Sequence, residues 1–245
     1  MTAAEPTILA TSGGLAPSRR LRWEVGPLTD YAVELAGVSG RAPRVCFLAT
    51  AMGDSSELIK DFYAAAVHRG FTPSHLALFP MPNIDDPREL LLSQDVIWVF
   101  GGSVAGLLAM WRLHGIDLAM RDAWQAGVVL TGVSAGSICW HTGGTTDSFG
   151  PRLRAVTDGL GLVPFSNGVH YDSEEQRRPV FHSLIADGTL GPGYATEDGA
   201  GLLYRGSRFI EAVTEKAGKL AYYVSRSPDG TVTEQPLDTR LLRAP

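Results

Sequence analysis

The sequence lacks the features of several protein classes. It has two cysteines, Cys46 and Cys139, so we expect neither a disulfide framework nor a cysteine-based metal site. No apolar run reaches the length of about 18 residues that a membrane helix needs, and no signal-peptide pattern opens the chain. These absences predict a cytoplasmic protein without a membrane partner.

An excess of basic residues is also absent. The formal net charge is −5 at pH 7, and like charges do not cluster, so nucleic acid is not an expected partner. The Gly101-Gly102 pair has neither the G-x-G-x-x-G spacing nor the G-K-[ST] ending of phosphate-binding loops. A dinucleotide or P-loop nucleotide is therefore not an expected ligand.

The apolar pattern that is present predicts an α/β fold. The length of 245 residues and the 44% hydrophobic content suit one domain spanning residues 1–245. Short apolar runs predict strands at 7–11, 44–50, 74–79, 95–100 and 127–133. Helical spacing of apolar residues predicts helices at 28–37, 55–70, 86–93 and 104–115.

This alternation of strands and helices predicts three layers, a mostly parallel sheet with helices on both faces. After about residue 190 the apolar segments become short and are separated by turns. We expect them to be antiparallel strands that complete the edge of the sheet.

The stretch VVLTGVSAGSICW, residues 128–140, is typical of a nucleophile elbow. A predicted strand gives way to small residues around Ser134 and continues as a predicted helix, in the pattern G-x-S-x-G. Gly132 and Gly136 lie two residues on either side of Ser134. Because glycine has no Cβ, neighbouring backbone can pass close to this strained turn. The amide of Ala135, at the start of the helix, could then face an oxyanion. The alternative is that these small residues only allow helix and strand to pack closely.

A second glycine turn is predicted at the same edge of the sheet. Gly101 and Gly102 follow the strand at 95–100, and ligands of open parallel sheets bind at the carboxyl ends of the strands. The amide of Gly102 could supply a second oxyanion donor. An ordinary glycine turn into the next helix explains the same residues, and the pattern leaves both interpretations open.

A catalytic serine needs a base and an acid that orients the base. Among the six histidines, His170 stands out because it ends a short predicted strand at 168–171 and would face the edge that carries Ser134. Asp147 lies in a loop between them. The spacing of residues along the sequence does not distinguish Asp147 from four other candidates for the acid: Asp158, Asp172, Glu174 and Glu197.

Two further alternatives concern the nucleophile and the fold. Cys139 lies close to the elbow and is a candidate for an alternative nucleophile. The chain order Ser134, Asp147, His170 matches that of α/β-hydrolases. However, the three residues lie too close together in sequence for that fold, and no histidine follows His182.

Three segments together resemble a known family. FGGSVAGLL, GVSAGSICW and GLGLVPFSNGVHYD, in this order, resemble peptidase E, the aspartyl dipeptidase family of serine peptidases, which is related to cyanophycinase. The resemblance covers most of residues 5–215 and implies a class I glutamine amidotransferase-like fold. It also implies roles for five residues: Ser134 as nucleophile, His170 as base, Asp147 as acid, and Gly102 and Ala135 as oxyanion donors.

The resemblance further implies a dipeptidase or exopeptidase that acts on short peptides. Such a serine mechanism requires no metal and no organic cofactor, and we expect a monomer or homodimer. The sequence departs from the family pattern at Ser103, where the family has asparagine, and at Glu174, where it has a basic residue that binds the substrate aspartate. A carboxylate at Glu174 would repel an aspartate. Arg177 is either a substrate contact or a solvated helix residue.

Two other functions remain compatible with the sequence. One is a cyanophycinase-like peptidase of different specificity. The other is a non-catalytic protein that binds a small molecule, or has a regulatory role, on the same scaffold.

Overall fold

The computed structural model describes residues 3–243, which form sixteen strands and seven α-helices. The strands are β1 Thr7–Thr11, β2 Leu15–Pro17, β3 Trp23–Val25, β4 Arg44–Leu48, β5 Thr72–Leu76, β6 Val96–Val99, β7 Val129–Val133, β8 Gly143–Thr146, β9 Arg154–Val156, β10 Ser166–Gly168, β11 Gly193–Thr196, β12 Ala200–Arg205, β13 Arg208–Thr214, β14 Ala221–Arg226, β15 Val232–Pro236 and β16 Thr239–Leu241. The helices are α1 Pro27–Leu35, α2 Ser56–Arg69, α3 Pro87–Leu92, α4 Val104–Leu113, α5 Ile116–Gln125, α6 Ala135–Ile138 and α7 Arg177–Ala186. None of the helices in this part of the chain is long and apolar enough to cross a membrane.

The largest sheet has eight strands in the order β16-β13-β12-β1-β7-β6-β4-β5. Strands β1, β7, β6, β4 and β5 run parallel to their neighbours within this group, and β12 joins β1 in the antiparallel sense. The prediction of a mostly parallel sheet with late antiparallel strands is confirmed. The five predicted strands correspond to β1, β4, β5, β6 and β7.

Helices cover both faces of this sheet. Along β1, Ile8 and Ala10 belong to one buried cluster, which includes residues of α4 and α5. Leu9 belongs to a second cluster, which includes residues of α1 and α2. Because successive strand residues point to opposite faces, apolar residues at every position require cover on both sides. The expected three layers follow from this pattern.

A second sheet was not predicted. It has six strands in the order β15-β14-β11-β10-β8-β9. Strands β14 and β15, which were expected at the edge of the first sheet, belong to this second sheet instead. These strands are short and only partly buried, so their apolar pattern does not specify a partner. The expected strand at 168–171 is also corrected: β10 ends at Gly168, and His170 lies beyond it.

His141, just after α6, is expected to make stability depend on pH. It is fully buried, its Nδ1 donates to the Ser137 carbonyl at 2.9 Å, and its Nε2 accepts from the Tyr204 hydroxyl at 3.1 Å. Burial is the main cause that lowers the pKa of this imidazole to about 4. The folded protein therefore holds His141 neutral at a pH where the unfolded chain already binds a proton.

The free energy of unfolding should fall as the pH is lowered from 6.5 towards about 4, since the unfolded state then binds more protons than the folded state. At about pH 5 this group should account for a loss of about 2 kcal/mol. Urea denaturation across this range would measure it. His141→Phe should lose this component, whereas Tyr204→Phe should retain it. An unchanged pH dependence in His141→Phe would contradict the assignment.

Candidate active site

The candidate site lies where three neighbouring strands of the large sheet end. Strand β7 pairs with β1 on one side and β6 on the other, with Val133 opposite Thr11 and Gly132 opposite Val99. The loops after these strands therefore meet at one edge, as the carboxyl ends of parallel strands must. Ser134 comes directly after the central strand of the three.

Ser134 has a backbone conformation that L-residues rarely adopt. Its φ is 57° and its ψ is −113°, and it links β7 to the single turn of α6. A Cβ at Gly132 would lie 2.5 Å from the Val99 carbonyl oxygen, and one at Gly136 would overlap the same oxygen. Close packing thus explains the two glycines but not the strained serine. Strain of this kind, where it is held by packing on both sides, is characteristic of a nucleophile elbow.

Two backbone amides next to Ser134 are available to a ligand. No hydrogen bond within residues 3–243 uses the N–H of Gly102 or that of Ala135. The loop after β6 passes against the serine, since a Cβ at Gly101 would lie 3.1 Å from the Ser134 Cβ and 3.7 Å from its Oγ. The structure thus brings the glycine turn and the elbow together, as the sequence suggested.

Gly102 has little room for a side chain. Its φ is +128°, and an added Cβ would lie 2.5 Å from the Ala51 carbonyl oxygen and 2.8 Å from the Met52 Sδ. A substitution must therefore move the loop and with it the amide of Gly102.

We expect Gly102→Ala to lower kcat by about 10²–10³-fold, the loss that follows removal of one oxyanion donor. Steady-state kinetics on a peptide substrate would measure this effect. Gly115→Ala is the matched control, because Gly115 also has a positive φ (+69°) but has open space around its Cα. A full kcat in Gly102→Ala would show that this amide is not a donor.

His170 lies two residues beyond β10 and also has a positive φ, 51°. Its Nδ1 is 2.6 Å from Oδ1 of Asp198. Both side chains are partly exposed, at 22% for His170 and 32% for Asp198. An imidazole whose Nδ1 binds a carboxylate presents Nε2 as the nitrogen that can accept a proton.

The end of β1 connects the serine to the histidine. The amide of Ser134 donates to the Thr11 carbonyl at 3.2 Å, and the amide of His170 donates to the Ser12 hydroxyl at 3.2 Å. Ser12 is buried and is also hydrogen-bonded to Thr196 Oγ1 at 2.7 Å. Thr11, the last residue of β1, and Ser12, which follows it, thus hold the backbones of Ser134 and His170.

The carboxylate beside His170 is not the one expected from the sequence. Asp147 lies exposed after β8, and no side-chain hydrogen bond to it is found within residues 3–243. The other four candidates also have different partners: Asp158 binds Arg112, Asp172 binds Lys219, Glu174 binds Arg177, and Glu197 binds Tyr222.

Asp198 was missed although the fold gives a reason for its position. Strands β10 and β11 are parallel neighbours, with Gly168 opposite Ala195. Residues that follow them, His170 and Asp198, therefore meet at one edge. The pairing of two three- or four-residue strands is not visible in the sequence. Asp198 is itself fixed, since its amide donates to Asp172 Oδ1 at 2.9 Å.

The three residues considered for substrate binding have structural contacts. Ser103 caps α4, with its Oγ accepting from the Gly106 amide at 3.1 Å. Arg177 is 3% exposed, so it is not a solvated helix residue. Its guanidinium donates to Glu174 Oε2 at 2.6 Å and to the Thr145 carbonyl at 2.7 Å.

The alternative nucleophile has an unfavourable environment. Cys139 is fully buried, and burial raises the pKa of its thiol well above the ordinary value. A thiol in this state has little thiolate character and therefore reacts poorly. Both cysteines are buried and free.

Comparison with known proteins identifies the family to which this chain belongs. Residues 21–212 match Peptidase family S51, and the chain belongs to this family. It is therefore a peptidase, and the resemblance to peptidase E seen in the sequence is confirmed.

Individual relatives support this assignment. The chain is 41% identical over 200 residues to the uncharacterized peptidase YgaJ of Bacillus subtilis (strain 168), covering 82% of this chain and 85% of that protein. It is 27% identical to peptidase E of Shewanella denitrificans over 65% of this chain and 71% of the relative. The crystal structure of a peptidase from an acI-B1 Actinobacterium has the same fold, with a TM-score of 0.66 at 18% identity, covering 98% of this chain and 95% of that one.

Proposed function

We propose that this protein is a serine peptidase that hydrolyses short peptides, with Ser134 as nucleophile, His170 as general base and Asp198 as the acid that orients it. The observation that carries the proposal is the strained Ser134 at the end of β7, connected through the consecutive residues Thr11 and Ser12 to His170, whose imidazole is hydrogen-bonded to a carboxylate. Asp198 replaces Asp147 in this proposal because of its contact with His170.

In the first step, His170 Nε2 accepts the proton of the Ser134 hydroxyl as Oγ attacks the peptide carbonyl carbon. Asp198 accepts a hydrogen bond from Nδ1, which fixes the tautomer and stabilises the imidazolium. The developing oxyanion accepts hydrogen bonds from the amides of Gly102 and Ala135. Each such donor contributes about 3 kcal/mol to transition-state stabilisation in comparable hydrolases.

The imidazolium then protonates the leaving amine, and the C–N bond breaks to leave an ester of Ser134. Water attacks this ester while His170 accepts one of its protons, and the second product leaves with a new carboxylate. The proton returns to Ser134 and the cycle closes. These steps use only side chains and backbone amides of the site.

The restriction to short peptides rests on the resemblance to peptidase E. A panel of dipeptides and short peptides, analysed by mass spectrometry, tests the function with the wild type and Ser134→Ala side by side. Cleavage by the wild type alone supports the proposal. Binding of a small molecule without cleavage of any peptide would favour a binding protein on the same scaffold.

A further inference from the structure

An apolar pocket lies beside the elbow. It has a volume of about 170 Å³ and is lined by Gly13, Leu15, Trp23, Trp98, Phe100 and Val133. We refer to these six residues as the aromatic pocket. A cavity of about 150 Å³ lined by apolar groups is large enough to hold benzene, so a phenyl or isobutyl side chain fits this volume.

The aromatic pocket lies at the carboxyl ends of β1, β6 and β7, the edge of the sheet that carries Ser134. Val133 directly precedes Ser134, and Phe100 directly precedes Gly101, whose Cα faces the serine side chain. In the covalent intermediate, the residue joined to Ser134 Oγ is the acyl residue, meaning the one whose carbonyl carbon is attacked. Its side chain is attached to the Cα atom, which is bonded to that carbonyl carbon. We therefore expect this side chain to be the part of the substrate nearest to the residues of the aromatic pocket.

The pocket is held open by a rigid frame. Trp98 donates from Nε1 to Thr29 Oγ1 at 3.0 Å, and the Thr29 hydroxyl donates to the Gly14 carbonyl at 2.6 Å. Phe100 packs against Trp23 and Trp98, with ring centroids 5.6 Å and 5.9 Å apart. Because these rings are already in place, an apolar side chain can enter without a rearrangement of the walls.

The charges around the pocket disfavour an acidic side chain. None of the described residues that line it is charged. The carboxylate of Glu215 lies behind Gly13, since it accepts from the Gly14 amide at 2.9 Å and a Cβ at Gly13 would lie 2.5 Å from its Oε1. Arg177, the cation considered for aspartate, is buried in its contacts with Glu174 and Thr145. Arg22 stacks on the Trp23 ring, but its guanidinium is already paired with Glu57 and Asp61. An aspartate in the pocket would lose its hydration and find no unpaired cation among these residues.

We infer that the aromatic pocket selects the acyl residue and that the preferred acyl residue has an apolar side chain of the size of leucine to phenylalanine, not aspartate. The inference rests on the proposed serine peptidase function. One methylene changes kcat/KM by about 10–200-fold in a hydrophobic pocket, so a phenylalanine should exceed an alanine by about 100-fold or more.

Two series of dipeptides separate the acyl side from the leaving side. In X-Ala, X varies among Phe, Leu, Ala, Asp and Lys, and in Ala-X the same residues vary at the other position. We expect kcat/KM to be highest for Phe-Ala or Leu-Ala. The highest value for Asp-Ala, or a preference for Phe confined to the Ala-X series, would overturn the inference.

Variants of Leu15 test whether the pocket itself makes the choice. Leu15→Arg places a cation in the pocket and should raise the ratio of Asp-Ala to Phe-Ala hydrolysis by about 10-fold or more. Leu15→Glu, the matched variant of opposite charge, should not raise it. Leu113→Arg, on a residue of α4 that is 73% exposed, is the surface control and should leave the ratio unchanged. Equal ratios in Leu15→Arg and the wild type would contradict the assignment.

Calorimetric titration of Ser134→Ala with Phe-Ala and Asp-Ala distinguishes failure of the pocket from failure of the proposed function. Tighter binding of Phe-Ala supports the pocket even if the wild type cleaves neither peptide, in which case only the peptidase mechanism fails. Tighter binding of Asp-Ala, or no binding of Phe-Ala, overturns the inference whatever the activity.

Discussion

Ser134→Ala should abolish peptide hydrolysis, with a fall in kcat of about 10⁶-fold, as when the nucleophile of a serine peptidase is removed. The hydroxyl is the only atom group lost, and no hydrogen bond from it is found within residues 3–243. Alanine inherits the same backbone conformation, so the folded state should keep its stability. Thermal denaturation should therefore show a Tm close to that of the wild type.

Labelling with a fluorophosphonate adds a measurement that does not depend on the choice of substrate. The wild type should form one covalent adduct, located on Ser134 by peptide mapping, whereas Ser134→Ala should form none. Cys139→Ala is the matched control at the alternative nucleophile and should retain both activity and labelling. Full hydrolysis by Ser134→Ala would refute the mechanism.

Asp198→Asn should lower kcat by about 10⁴-fold, because asparagine can hold the imidazole in the wrong tautomer and cannot stabilise its charged form. The hydrogen bond of 2.6 Å between Asp198 Oδ1 and His170 Nδ1 is the contact that changes. Asp147→Asn is the matched control, since the same substitution falls on an exposed loop residue. We expect Asp147→Asn to retain kcat within a few-fold.

Steady-state kinetics of the two variants on one dipeptide would decide between the two carboxylates. A loss in Asp147→Asn as large as that in Asp198→Asn would mean that the loop after β8 moves onto His170 when substrate binds. A loss in Asp147→Asn alone would restore the assignment made from the sequence. Circular dichroism of both variants would show whether either change affects folding.

The proposed nucleophile could be found from the sequence, and the proposed acid could not, for a physical reason. Ser134 lies in a local pattern, because the strand, the glycines and the helix that create its strain are all within about ten residues. His170 and Asp198 meet only through the pairing of β10 with β11. That pairing is set by tertiary contacts of short strands, which carry little periodicity of their own.

The second sheet illustrates the same limit. Its strand β14 carries Tyr222 and Tyr223, which are only half buried, and β15 is mostly exposed. Strands of this kind can pair at the edge of either sheet. The turns between them could therefore be predicted from the sequence, but the strands with which they pair could not. By contrast, β1 and β6 are buried at every position, so their continuous apolar runs indicate strands covered on both faces.

The proposed catalytic pair, Ser134 and His170, lies where the two sheets meet. Ser134 follows a strand of the eight-stranded sheet, whereas His170 follows a strand of the six-stranded sheet, and consecutive residues at the end of β1 bind the backbone of each. The alignment of the proposed nucleophile and base therefore depends on the joint at Thr11 and Ser12. One buried cluster includes Ile8 of β1 and Tyr194 of β11, so the two sheets that meet at this joint share a hydrophobic core.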